Sequence, residues 1–120
     1  ALYGLDEFVD KLPKNLTRFD FDTRDKKELP SMPLPKRLFT DFPQLKVLHI
    51  EGILQDIPEE IGGLKNLQFL SIPDNPNLKS LPESLANLEN LEVINIRNTP
   101  AVLPAALEEK WKQGDIVIVK

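Results

Sequence analysis

The chain has 120 residues, enough for one domain with a substantial core, and its 41% hydrophobic content places it outside the disordered class. A net charge of −4 argues against a general nucleic-acid or anionic-membrane surface, and no apolar run approaches the roughly 20 residues that span a bilayer. The absence of cysteine excludes disulfides, thiolate metal sites and cysteine nucleophiles. Because the chain begins at Ala1 and not at methionine, we expect a processed chain or a segment of a longer protein.

The first predicted element is a short amphipathic helix over residues 4–12, which ends at Pro13. Its apolar side chains recur at intervals of three and four residues and form a single stripe, made of Leu5, Phe8, Val9 and Leu12. We expect this helix, within an N-terminal segment of residues 1–15, to cover one end of the core. A helix that binds a partner is the alternative.

A repeat of 22 to 24 residues follows within residues 16–112. Residues 45–50, 67–72 and 91–96 share the pattern L-x-x-L/I-x-I, and residues 16–21 are a weaker copy 29 positions before the first of these. The alternation predicts a short strand in each segment. A proline follows each of the three clear copies at Pro58, Pro82 and Pro104, where it starts a return segment with room for a short α- or 3₁₀-helix.

The C-terminal end contains a helix candidate over residues 105–112, whose Trp111 we expect to cover the last coil. Adding 22 residues to Leu91 places a final strand at 115–119, within a terminal segment of residues 113–120. Both faces of this strand are apolar. Its outer edge would be unpaired, so self-association through this edge is one expected outcome.

The repeat resembles the leucine-rich repeat family, whose fingerprint is L-x-x-L-x-L-x-x-N-x-L. The "L-P-x-x-L/I-x-x-L" second half is similar to the intracellular repeats of bacterial proteins, plant immune receptors and Ras-pathway scaffolds. The resemblance implies an α/β solenoid over residues 1–120: a short right-handed stack of coils, with parallel strands on the concave face and short helices or 3₁₀ turns on the convex face. The family's asparagine position falls at Arg24, Ile53, Asn75 and Thr99, so Asn75 alone keeps the pattern.

The same resemblance implies protein binding without catalysis and without a cofactor. Extracellular members commonly use cysteine-rich caps, which this chain cannot make, so a cytoplasmic protein or a secreted effector is favoured. The alternative is a structural spacer or a terminal segment of a larger receptor or effector protein.

We expect the partner to contact the outward positions of the strands, which stack in three columns. The first column is predicted to hold Arg18, Val47, Phe69 and Val93. The second is predicted to hold Asp20, His49, Ser71, Asn95 and Val117, and the third Asp22, Glu51, Pro73, Arg97 and Val119. Neighbouring strands stand about 4.8 Å apart, so Val47, Phe69 and Val93 of the first column would form an exposed apolar stripe. The predicted partner-binding residues are Arg18, Val47, His49, Glu51, Phe69, Ser71, Val93, Asn95 and Arg97.

A hydrolase is the other alternative, because Asp20, His49 and Ser71 have the residue types of a catalytic triad. The open face and the lack of a glycine-rich turn for an oxyanion hole argue against it. A metal site is not expected either, since the chain has one histidine, no cysteine and no calcium-loop spacing among its acidic residues.

Overall fold

The computed structural model describes residues 10–22 and 37–120. The predicted capping helix over residues 4–12 falls mostly outside these ranges, as does Arg24. Of the residues in this predicted helix, the structure describes only the last three. Asp10 is helical, and Leu12 is half-buried against the core. None of the helices in the described residues has the length and apolar character needed to cross a membrane.

Strands and short helices alternate along the chain. The strands are β1 (Arg18–Asp22), β2 (Val47–Glu51), β3 (Phe69–Ser71), β4 (Val93–Asn95) and β5 (Val117–Val119). Between them lie helix α1 (Arg37–Thr40), a first 3₁₀ helix (Glu59–Gly63), a second 3₁₀ helix (Glu83–Asn87) and helix α2 (Ala105–Lys112). Pro58, Pro82 and Pro104 precede the last three of these helices in extended conformation, with φ near the value that the proline ring fixes.

The strands form one five-stranded sheet in which every neighbouring pair is parallel, in the order β1-β2-β3-β4-β5. The expected mixed α/β fold with a parallel sheet is therefore confirmed, and its arrangement is compatible with a solenoid. The strand predicted at residues 16–21 pairs with β2 in the predicted register, because Arg18 lies beside Val47 despite the longer step between them.

A column of buried side chains, one from each strand, forms the centre of the core. The column consists of Phe19, Leu48, Leu70, Ile94 and Ile118, all at most 7% exposed. The return segments add buried residues at helical spacing, such as Leu85 and Leu88, and α2 adds Leu107. Trp111 is half-buried and packs against this core. A single coil could not bury these side chains alone, so burial depends on stacking.

The register of β5 differs from the prediction. Val117 pairs with Val93 and Val119 with Asn95, a step of 24 residues. The predicted step of 22, which placed Val117 in the second column and Val119 in the third, is wrong. Residues 116–119 are all apolar and β-branched, so their alternation carries no information about register. The step from Phe69 to Val93 in the preceding coil is also 24 residues.

Asn75 joins two successive coils by buried hydrogen bonds. Its side chain is fully buried; its Oδ1 accepts from the backbone N–H of Leu54 at 3.0 Å, and its Nδ2 donates to the carbonyls of Ile50 and Ile72 at 3.0 and 2.9 Å. In the next coil, Thr99 takes over part of this role, because its hydroxyl donates to the Ile72 carbonyl at 2.8 Å and accepts from the Asn75 backbone N–H at 3.1 Å.

The two 3₁₀ helices approach each other closely at Gly62. A Cβ added at this position would stand 2.7 Å from the Cβ of Ser84, whereas a Cβ at the adjacent Gly63 would meet nothing within 4 Å. Ser84 itself is held in place, since its hydroxyl donates to the Glu59 carbonyl at 2.7 Å. The close packing of these two helices therefore requires a glycine at position 62 and not at position 63.

We predict that Asn75→Ala lowers the free energy of unfolding by about 2–4 kcal/mol, because it leaves the buried Leu54 N–H and several carbonyls without a partner. Asn87→Ala, on the exposed side of the second 3₁₀ helix, should change it by less than about 0.5 kcal/mol. Urea unfolding of the two variants measures the difference, and equal midpoints would contradict the role given to Asn75.

A second prediction compares two adjacent glycines in the same helix. Gly62→Ala should destabilise the protein by about 1–3 kcal/mol, because the new methyl group overlaps Ser84. Gly63→Ala should be neutral or stabilising by up to about 1 kcal/mol, since it restricts the unfolded chain without a clash. Thermal unfolding of both variants is the measurement, and a Gly62→Ala protein as stable as Gly63→Ala would refute the close approach.

Candidate functional site

The side chains that alternate with the buried column form one face of the sheet, which we name the open face. Parallel pairing aligns them in two rows. The apolar row consists of Val47, Phe69, Val93 and Val117, with Arg18 at its β1 end. The polar row consists of Asp20, His49, Ser71 and Asn95, with Val119 at its β5 end.

The apolar row is accessible to solvent although its members are hydrophobic. Phe69 is 40% exposed and Val117 55% exposed, while Val47 and Val93 are half-buried. Of the four large hydrophobic residues that are exposed within the described residues, Phe69, Val117 and Val119 lie on the open face, and Val102 lies outside the strands. Exposed apolar area is therefore concentrated on this face. The predicted stripe ended at Val93, and Val117 extends it by one strand.

His49 is held between two oxygen-bearing side chains. Its Nδ1 lies 2.8 Å from the hydroxyl of Ser71, and its Nε2 lies 3.0 Å from Oε1 of Glu51. Ser71 is the neighbour of His49 on the adjacent strand, and Glu51 is two residues ahead on the same strand, so both point to the same face. The sheet geometry thus brings the three side chains into one hydrogen-bonded chain.

The carboxylate determines which nitrogen of the neutral imidazole carries the hydrogen. An ionised carboxylate can only accept, so the Nε2 of His49 donates to Glu51. The Nδ1 then has a lone pair, and the hydroxyl of Ser71 donates to it. Glu51 is buried, at 8% exposed, so this contact is shielded from solvent competition more than a surface pair would be.

Asp20 does not take part in the hydrogen bonds that join Glu51, His49 and Ser71. This corrects the predicted grouping of Asp20, His49 and Ser71. Asp20 does lie beside His49 in the register, but its Oδ2 accepts from Nε of Arg18 at 2.7 Å and its Oδ1 from Nη2 at 3.4 Å. The hydrogen bond and the charge of Asp20 raise the pKa of the Arg18 guanidinium above its usual value. Glu51 occupies the position that the prediction gave to Asp20.

Asn95 ends the polar part of the row on the side away from His49. Its Oδ1 accepts from the backbone N–H of Arg97 at 3.0 Å, which fixes the plane of the amide. Within the described part of the chain, its Nδ2 has no hydrogen-bond partner. Asn95 is the register neighbour of Ser71 on β3, so its amide stands next to Ser71 in the polar row.

The third predicted column is realised only in part. Asp22 pairs with Glu51, but Pro73 and Arg97 lie beyond the ends of β3 and β4. Pro73 is buried, while Arg97 is exposed beside the open face. Of the nine predicted contact residues, Glu51 is the one that is buried. Its carboxylate turns back to accept a hydrogen bond from His49. No sequence signal separates a carboxylate that faces a partner from one that turns back to a histidine on its own strand.

Other features of the described residues lie away from the open face. A pocket of about 470 Å³ is lined by residues after β4, including Thr99, Pro100 and Lys120. No group of three or more histidine, cysteine, aspartate or glutamate side chains in residues 10–22 and 37–120 is arranged to hold a metal ion. The open face is therefore the candidate functional site.

Comparison with known proteins does not assign the chain to a family: no protein-family model matches it, and a search of curated proteins returned no significant match.

Proposed function

We propose that the chain is a small leucine-rich repeat solenoid that binds a protein partner through the open face, as a non-catalytic interaction module. The resemblance of its repeats supports this proposal. So do the in-register parallel strands, the 3₁₀ helices on the return segments and the buried Asn75 at the family's asparagine position.

The concentration of exposed apolar side chains on the open face is the observation that carries the proposal. A solvent-exposed row of large hydrophobic residues costs free energy in an isolated protein, and such rows with polar borders are typical of interaction surfaces. The four members of the apolar row extend over about 14 Å at the spacing of parallel strands, enough to contact two turns or more of a helix. Phe69 stands inside the row and is the aromatic anchor.

The borders of the apolar row suggest how a partner is oriented. The paired charges of Arg18 and Asp20 lie at the β1 end, and Arg97 lies near the other end of the polar row. Ser71 and Asn95 offer hydrogen-bonding groups beside the apolar side chains. Charged groups at a rim contribute more to orientation and association rate than to affinity, so the apolar row supplies most of the binding energy.

The second candidate function is a structural spacer, and the edge of β5 favours it. Among the described residues, β5 pairs with β4 alone, and it is an apolar strand whose Val117 and Val119 are exposed on the open face. A further coil or a second copy of the chain could pair there. A mass that stays monomeric at high concentration in light scattering would exclude a dimer through this edge.

We predict that Phe69→Glu abolishes partner capture, because it buries a charge at the centre of the interface. Val102→Glu is the matched control, since Val102 is also exposed and apolar but lies outside the strands. Affinity capture with the wild type and both variants, each checked for folding by circular dichroism, is the measurement. A partner lost with Phe69→Glu and kept with Val102→Glu supports the module. A partner kept with both variants, or no partner for the wild type, supports the spacer.

A further inference from the structure

We propose that Ser71 is an activated nucleophile that accepts an acyl group from an activated ester, which makes it a covalent modification site on the open face. In this site His49 takes the hydroxyl proton and Glu51 holds the imidazole. Asn95 donates to the oxygen that becomes negatively charged.

The first step of the argument is the direction of the hydrogen bonds. Because Glu51 accepts from Nε2, the neutral imidazole of His49 has its lone pair on Nδ1, which faces the Ser71 hydroxyl at 2.8 Å. This distance is within the range required of a general base. The two nitrogens have exchanged the roles they hold in serine proteases, where Nε2 is the base, but the order carboxylate, imidazole, hydroxyl is the same.

The second step is that, in residues 10–22 and 37–120, no other serine has this environment. The chain contains one histidine, so only the serine that contacts His49 can have an imidazole base. Ser84, for comparison, donates its hydroxyl to the Glu59 carbonyl, which cannot take up a proton. The contact with His49 therefore distinguishes Ser71 from the other described serines.

The third step is the donor on the opposite side of Ser71. Parallel pairing places Asn95 directly beside Ser71, on the strand away from His49. The amide is oriented by the bond between its Oδ1 and the Arg97 N–H, and within the described residues its Nδ2 has no partner. In the proposed reaction this amide, on the strand next to Ser71, supplies the donor that stabilises the oxyanion.

The reaction balances without a further reactant. The Oγ of Ser71 attacks the ester carbonyl carbon and forms a new C–O bond, while its proton passes to Nδ1 of His49. The bond between the carbonyl carbon and the leaving alkoxide or phenolate breaks, and the leaving group departs with the bonding electron pair. The imidazolium, paired with Glu51, then loses its proton to solvent or to the leaving group.

The site lies on the open face of the sheet. His49 and Ser71 are half-buried there, and the pocket beyond β4 does not include them. The inference does not depend on the apolar row, which supplies most of the binding energy in the proposed function.

The experiment uses the whole folded chain and p-nitrophenyl acetate at neutral pH. Release of p-nitrophenolate gives the rate, and peptide mapping by mass spectrometry locates the acetyl group. We expect Ser71 to be acetylated in the wild type, with complete loss of this adduct in Ser71→Ala. The rate at Ser71 should fall about 10²-fold in His49→Gln, the lower end of what a general base contributes. Ser84→Ala is the matched control and should leave the rate unchanged.

Two further variants separate chemistry from structure. In Glu51→Gln the new amide can donate to Nε2, which moves the imidazole hydrogen to Nδ1 and removes the base facing Ser71. We expect nitrogen NMR to show this change of tautomer together with a loss of acetylation similar to that in His49→Gln. Asn95→Leu should slow acetylation by up to about 10²-fold without changing the tautomer.

The proposal is overturned if the acetyl group is found on lysines, on the N-terminus or on His49 but not on Ser71. Equal acetylation of Ser71 in wild type and His49→Gln would overturn it as well. Thermal unfolding of each variant confirms that a lost adduct does not result from a lost fold.

Discussion

The in-register stacking of one buried side chain from each strand is the interaction on which the rest of the structure depends. Leu48, Leu70 and Ile94 stand directly beside one another in the parallel sheet and are almost completely inaccessible to solvent. Each strand is only three to five residues long, so its own hydrogen bonds are too few to hold it in place. Burial against the preceding and following coils supplies the missing stability. A shift of one residue in any of the strands β1 to β4 would turn its buried apolar side chain outward, so stacking also determines the register of these strands.

The same stacking accounts for the polar contacts between coils. Residues at corresponding positions of successive coils meet, which is why Asn66 donates to the Pro43 carbonyl and Asn90 to the Lys65 carbonyl at 3.0 and 2.8 Å. Asn75 does the same in the interior, where an unpaired amide would be costly. Among the described residues, every buried side-chain nitrogen and oxygen has a hydrogen-bond partner. The asparagines therefore serve as connectors between coils, a role that follows from the repeat period.

The repeat made most of the fold predictable, and its limits are physical. Strands β1 to β4 and their mutual register follow from alternating apolar residues, even across the irregular step before β2. The register of β5 could not be predicted in the same way, since residues 116–119 are apolar at every position. This error had a consequence for the open face. It assigned Val117 to the polar column, and so concealed the fourth member of the apolar row.

The choice of carboxylate for His49 shows how a site depends on competition as well as on register. Asp20 and Glu51 are both near neighbours of His49, one across the sheet and one along the strand. Register alone favours Asp20, because adjacent parallel strands stand closer than positions two apart on one strand. Arg18 reverses this preference, since its guanidinium binds Asp20 through two hydrogen bonds on the same strand. Glu51, with a side chain one methylene longer, then reaches Nε2. Because Arg18 occupies Asp20, the imidazole of His49 donates to the buried Glu51 instead. The lone pair on Nδ1 of His49 then faces Ser71, the only serine on β3.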